Sequence, residues 1–135
     1  FYGITTTTSH EDIARAVVEG LLCSMHDAIE ALQRTTGAIT ERVLPIGGGA
    51  KSASVQRIAP TIFGVPVVAP ESSEFVALGA ARQAAWALSG EMTPPEWQLG
   101  NLRTYDGKEC ADAVGRYKIL RDFVEGLENQ VHVTM

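Results

Sequence analysis

A chain of 135 residues, 45% of them apolar, is long enough for one sizeable core, because domains near this size bury about 70% of their unfolded surface. The formal net charge of −5 and the absence of Lys and Arg clusters exclude a nucleic-acid footprint. No apolar run approaches the roughly 18 residues of a membrane helix and Phe1-Tyr2-Gly3-Ile4-Thr5 lacks the basic region of a signal peptide, so a soluble, cytoplasmic chain is expected.

In chain order, Thr5 to Thr8 is a β-branched polar run that suits an edge strand or a loop leading into a helix cap. Ser9 is the expected N-cap, with Asp12 three residues on completing a capping box. Ile13, Val17, Leu21, Ser24, Ala28 and Leu32 then recur at near-helical spacing, which predicts a long helix over residues 10–36 closed by Gly37. A second apolar row at Ala14, Val18, Leu22, Met25 and Ile29 widens the buried face, so this helix is expected to be sandwiched.

Residues 42–46 read as a short buried strand that breaks into Gly47-Gly48-Gly49-Ala50-Lys51-Ser52. A helix from Ser52 or Ser54 to Phe63 follows, with Gly64 ending it. Val65-Pro66-Val67-Val68 is the next extended segment, stopped by Pro70, and this strand, loop, helix, strand order favours parallel pairing. Ser72 or Ser73 should cap a helix with an apolar row at Phe75, Leu78, Ala81, Ala85 and Leu88, ending at Ser89-Gly90. Its small residues, Ala77, Gly79, Ala80, Ala81, Ala84 and Ala85, would admit a tightly packed backbone or a ligand lying across the helix. From Thr93-Pro94-Pro95 to Gly107 no periodicity is visible, which predicts a surface excursion. Trp86 and Trp97 would fill the core, pin that excursion or stack on a ligand ring. Cys110, Val114, Tyr117, Leu120, Val124 and Leu127 then mark a terminal helix ending near Asn129.

The glycine corner is the informative site. Glycine accepts positive φ and lets peptide N–H groups converge, and a following helix start adds unpaired donors, a combination that suits a nucleotide. A purely structural turn is the competing reading. Lys51-Ser52 imitates the end of the phosphate-gripping Gly-x-x-x-x-Gly-Lys-Ser/Thr loop, but the residues before it do not fit, and neither Gly-x-Gly-x-x-Gly nor Gly-x-Ser-x-Gly is present. Glu71 and Glu74 flank a helix start, where a dipole role suits them better than acid–base work. Cys23 and Cys110 read as free thiols; Cys23-Ser24-Met25-His26 has the spacing of a metal half-site but no second half, with His10 and His132 elsewhere. Neither a catalytic residue nor a metal ligand is assigned.

Several blocks together resemble the carboxy-terminal part of an FGGY-type carbohydrate kinase, above all its bacterial xylulokinase branch. They are Gly3-Ile4-Thr5, the run Asp12-Ile13-Ala14-Arg15-Ala16-Val17-Val18-Glu19-Gly20, Ile46-Gly47-Gly48-Gly49-Ala50-Lys51-Ser52, Ile58-Ala59-Pro60, Gly64-Val65-Pro66-Val67, and Glu74 before Ala77-Leu78-Gly79-Ala80-Ala81. The stretch from Arg116-Tyr117 to Arg121-Asp122 adds to them. One departure is Pro60-Thr61, where many members carry Ala-Asp.

The resemblance implies an α/β fold, helix-rich with a few short strands, forming part of the second lobe of an actin-like, ribonuclease-H-like ATPase. Residues 1–90 would belong to the nucleotide side of that lobe, 91–107 to a surface excursion and 108–135 to a terminal helix on the same lobe. By position, Gly47, Gly48, Gly49 and Ala50 would present backbone to the ribose and α-phosphate side of ATP or ADP, with Lys51 alongside and Ser52 capping the next helix near the adenosine. The catalytic aspartate, most sugar contacts and the Mg²⁺ ligands would lie in parts of the kinase outside this chain, chiefly its amino-terminal lobe. The chain begins at Phe1 without Met, and it is expected to be a fragment or subdomain, inactive alone, of a kinase making D-xylulose 5-phosphate, with homodimerisation as a family habit. Glycerol, gluconate or ribulose kinases share these nucleotide features, and a stand-alone nucleotide-binding or interaction module is the rival reading. A truncated lobe should leave an apolar face of the helix around Val17 to Leu32 open, whereas a free-standing module should not.

Overall fold

The computed structural model describes residues 1–70, 74–97 and 100–132, with side chains to residue 126. Helix α1 spans His10–Thr36, α2 Ala53–Phe63, α3 Phe75–Ser89 and α4 Ala111–His132; strands β1 and β2 are Val67–Pro70 and Leu102–Tyr105. It is a helix-rich arrangement with a two-stranded sheet.

Local chemistry sets the ends of α1. Ser9 Oγ accepts from the Asp12 N–H at 3.1 Å, and the Ser9 N–H donates to Asp12 Oδ2 at 3.0 Å. Those hydrogen bonds, the backbone one first, hold the Asp12 carboxyl below its ordinary range. Gly37, in the left-handed region at φ 70°, closes the helix with its N–H on the Gln33 carbonyl at 2.9 Å. Before the cap, Thr5 to Thr8 forms a turn rather than an edge strand, with the Thr8 N–H on the Thr5 carbonyl at 3.1 Å.

Leu22 and Cys23 of α1 meet Ala59 and Ile62 of α2, Val67 of β1, and Ala113 and Val114 of α4 in one core. Val18, Ile58, Tyr105 and Tyr117 pack around it. Between α1 and α4, Lys118 Nζ lies 2.7 Å from Glu30 Oε2, and the Arg121 guanidinium pairs with the Asp27 carboxylate. Ile13 and Val18 are half-buried, but Val17, Leu21, Met25 and Leu32 stand 54%, 52%, 49% and 64% exposed. The expected sandwich around α1 is therefore corrected: within the described residues α2 and α4 cover one face, and the row through Val17, Leu21 and Leu32 is open.

The strand expected over residues 42–46 is a single parallel bridge from Val43 to Val67, made by the Val43 N–H to the Pro66 carbonyl and the Val68 N–H to the Val43 carbonyl at 3.0 and 2.9 Å. The fuller partner of β1 is β2, paired antiparallel in the register Val67↔Tyr105, Val68↔Thr104, Ala69↔Arg103 and Pro70↔Leu102. The parallel sense expected between residues 42–46 and the following strand holds at the Val43 bridge, and the β1–β2 pairing corrects one expectation, since β2 lies in the stretch read as aperiodic. The close approach at Gly107 shapes the turn out of β2: a Cβ there would lie 2.9 Å from Thr61 Cγ2, and the Cys110 N–H donates to the Thr61 carbonyl at 2.7 Å.

Helix α3 starts at Phe75 with Glu74 before it; the caps expected at Ser72 or Ser73 lie outside the described residues, as does Glu71. No described backbone packs on its small residues, for Ala77, Gly79, Ala80, Ala81 and Ala84 are all exposed. Residues 91–95 fold back on the other side, where Trp86 Nε1 donates to the Glu91 carbonyl at 2.8 Å and Arg82 Nε to the Pro95 carbonyl at 2.7 Å. Trp86 thus pins the excursion, as one sequence reading had it, while Trp97 is 44% exposed. On α4 the apolar row is buried at Val114 and half-buried at Tyr117 and Leu120, but Val124 is exposed, and the side chain of Leu127 lies outside the described residues. None of the described helices is long and apolar enough to cross a membrane.

Candidate functional site

A cavity of ≈ 510 Å³ opens beside the glycine corner, a volume within the ~300–1,000 Å³ usual for small-ligand sites. Its first wall is the corner itself, from Pro45 and Ile46 through Gly47, Gly48 and Ala50 to Lys51. Gly47 sits at φ 89°, where a Cβ would strain the backbone, so this turn is open to glycine in a way it is not to other residues. The chain then makes a 3-10 turn over Gly48–Lys51, with the Ala50 N–H on the Gly47 carbonyl at 3.2 Å and the Ser52 N–H on the Gly49 carbonyl at 3.1 Å. Helix α2 consequently starts one turn later than a direct glycine-to-helix junction would place it.

That 3-10 turn separates the sequence-selected residues. Gly47, Gly48 and Ala50 line the cavity; Gly49 and Ser52 do not. Ser52 instead caps α2, its Oγ accepting from the Val55 N–H at 3.5 Å. Ideal Cβ atoms built on Gly47, Gly48 or Gly49 meet nothing within 4 Å; Gly47 and Gly48 line the cavity, and of these two it is Gly48 that lacks the positive φ that strains a side chain.

Sequence reasoning missed the remaining walls. Gln56 of α2 reaches both sides of the cavity: its Nε2 donates to the Ala50 carbonyl at 2.7 Å, and its Oε1 accepts from the Tyr105 hydroxyl at 2.7 Å. Its position four residues after the Ser52 cap, one helical turn on, is the signal that could have found it. Ala69 and Pro70 of β1 form the floor with Glu74 and Phe75 at the start of α3, and Asn101, Arg103 and Tyr105 close the far side. Lys51 and Arg103 are the cationic side chains of this lining and Glu74 its carboxylate. Chemically the site offers exposed backbone at a turn, apolar and aromatic surface from Ile46, Pro70 and Phe75, and positive charge, which together suit a flat heterocycle carrying an anionic tail.

The Cys23 and His26 half-site does not assemble. Cys23 is buried in the core, where burial first, then the Glu19 and Asp27 carboxylates, push its thiol up. His26 instead stands with Asp27 and Glu30, whose ligand atoms lie within 4.8 Å of one another. Both carboxylates are already committed to cations, Glu30 to Lys118 and Asp27 to Arg121, so the group serves as an ion-pair seam between α1 and α4.

Residues 1–88 match the C-terminal domain of the FGGY family of carbohydrate kinases, and the chain belongs to that family. Among solved structures it is similar to the xylulose kinase from Bifidobacterium adolescentis, at 48% identity and a TM-score of 0.74 over 90% of this chain and 24% of that one. The xyloylose kinase from Brucella ovis is similar at 29% identity and a TM-score of 0.77, over 94% of this chain and 28% of that one. A glycerol kinase from Koribacter versatilis is 38% identical over 80 residues, 59% of this chain and 16% of its own length. A xylulose kinase from Streptomyces coelicolor is 34% identical over 90 residues, 67% of this chain and 19% of its own. The chain therefore spans less than a fifth of these curated relatives and about a quarter of the solved ones.

Proposed function

We propose that the cavity beside Gly47, Gly48 and Ala50 holds the adenosine part of ATP or ADP, and that the chain works as the carboxy-terminal part of an ATP-dependent kinase acting on D-xylulose. The observation that carries the sugar assignment is the 48% identity to the Bifidobacterium adolescentis xylulose kinase over 90% of the chain. The nucleotide assignment is supported by the cavity itself: a glycine turn that lets backbone approach a ligand, apolar surface for a base, and Lys51 for charge. Gly49 and Ser52 then act at one remove, Gly49 by holding the 3-10 turn and Ser52 by capping α2.

In that kinase the sugar hydroxyl oxygen attacks the γ-phosphorus in line, its proton passes to an aspartate elsewhere in the protein, and ADP leaves. This chain's share is to orient the nucleotide. A magnesium ion would offset phosphate charge, but among the described lining residues Glu74 is the lone carboxylate, which does not make a magnesium site. The open stripe of Val17, Leu21, Met25 and Leu32, with the uncovered face of α3, supports reading the chain as part of a larger lobe that packs on an amino-terminal lobe of the same protein. A self-contained module would bury that stripe. The chain alone is expected to lack phosphotransfer.

A second reading, glycerol as the acceptor, is favoured by the 38% identity to the Koribacter versatilis glycerol kinase. Coupled ADP-release assays on the longer kinase that carries these residues, with D-xylulose and glycerol compared at equal ATP, decide between the two. Faster turnover of glycerol overturns the xylulose assignment, and no ATP-dependent turnover of any polyol or ketose overturns the kinase.

A further inference from the structure

Strand β2 lies beyond residues 1–88 that match the family domain, yet it builds one wall of the cavity. Asn101, Arg103 and Tyr105 alternate along the chain and all face the same space, as the period-two geometry of a strand requires. In the register Arg103 stands directly opposite Ala69, and so small a cross-strand neighbour leaves the arginine stem free to extend over the sheet. Two residues further, the Tyr105 hydroxyl is fixed to Gln56, and Gln56 to the Ala50 carbonyl. Those two hydrogen bonds hold β2, and Arg103 with it, at a set distance from the glycine turn.

No ion pair or hydrogen bond engages the Arg103 guanidinium among the described residues, in contrast to Arg15, Arg82 and Arg121. Five N–H donors in a planar fork, always charged and lining a cavity with Lys51 as the other cation, match the oxygens of a phosphate. We infer that Arg103 is a ligand-binding residue that contacts the phosphate chain of a nucleotide seated in this cavity. The inference rests on the adenosine reading of the cavity given above. It adds β2 to a site that the family-matched segment supplies only in part.

Calorimetric titration of the longer kinase that carries these residues with adenosine and with ADP, in the wild type, Arg103→Gln and Arg103→Lys, tests it. The wild type should bind ADP more tightly than adenosine. Arg103→Gln should lower ADP affinity about ten- to a hundred-fold, the scale of one charge-assisted contact, and leave adenosine affinity within about twofold. Arg103→Lys should recover part of the ADP loss, because it keeps the charge without the planar fork. Equal losses for both ligands in Arg103→Gln would make the residue structural and overturn the inference. Unchanged ADP affinity in that variant, or a wild type with no preference for ADP over adenosine, would overturn it while leaving the adenosine site intact. A wild type that binds neither compound would refute the nucleotide reading of the cavity itself.

Discussion

Replacing Gln56 by Leu keeps the size of the side chain and removes both arms of the bridge across the cavity. The Ala50 carbonyl loses a donor at 2.7 Å and the Tyr105 hydroxyl an acceptor at 2.7 Å. Each hydrogen bond of this kind contributes about 0.5–1.5 kcal/mol net, and water can reach these half-buried groups, so the substitution should cost about 1–3 kcal/mol. Tyr105→Phe removes one of the two bonds and should cost about 0.5–1.5 kcal/mol. The double variant should then cost less than the sum by roughly the worth of the shared bond, again about 0.5–1.5 kcal/mol, because Tyr105→Phe has nothing left to break once Gln56 is gone. Urea unfolding at neutral pH of the wild type, both single variants and the double variant gives this coupling directly. Additivity to within about 0.3 kcal/mol would mean that the bridge is not formed in solution and would refute the argument that β2 is tied to the glycine turn.

Gly107→Ala should destabilise the fold by about 1–3 kcal/mol, since the new Cβ would lie 2.9 Å from Thr61 Cγ2 and 3.2 Å from Thr61 N; Thr61→Ser in the same chain should recover part of it, and a neutral Gly107→Ala in urea unfolding would contradict the packing described. Glu30 is held below the ordinary glutamate range, chiefly by its hydrogen bond from Lys118, so its contribution is present above the unfolded value and is lost as pH falls through the depressed folded value. Thermal melts between neutral and acid pH should show this loss, and Lys118→Met should flatten it; an unaltered pH profile in the variant would show that the seam between α1 and α4 does not titrate this way. Cys23, buried and with its thiol pushed up, should resist alkylation under native conditions while the half-buried Cys110 reacts first, as peptide mapping after a timed iodoacetamide pulse would record; the reverse order would contradict the core assignment.

The elements set by short-range chemistry were the legible ones. Ser9 with Asp12 and Gly37 marks the ends of α1, and Ser52 and Gly64 those of α2, through bonds that span three or four residues. Strand β2 was not legible, because Leu102-Arg103-Thr104-Tyr105 has no apolar alternation and is largely exposed; its order comes from pairing with β1 far back in the chain. The burial of α1 was misread for a related reason. Its two apolar rows are real, but only one finds a partner among the described residues. At the site, the glycine run pointed to Gly47, Gly48 and Ala50, while the 3-10 turn that takes Gly49 and Ser52 off the lining is a backbone detail that composition does not encode. Gln56, Arg103 and Tyr105 enter the lining by tertiary contact, so no spacing in the sequence announces the three together.

The adenosine site is tested most directly by amide-resolved NMR of the chain during an ADP titration, run in parallel on Gly48→Val. A valine there meets no protein atom at its Cβ and occupies space on the cavity lining, so it should block the ligand without unfolding the turn. Saturable shifts of Gly47, Gly48, Ala50, Gln56 and Tyr105 that vanish in the variant are the expected result. Shifts confined to other surfaces, shifts that survive in Gly48→Val, or none at saturating ADP would contradict the assignment of this cavity to a nucleotide.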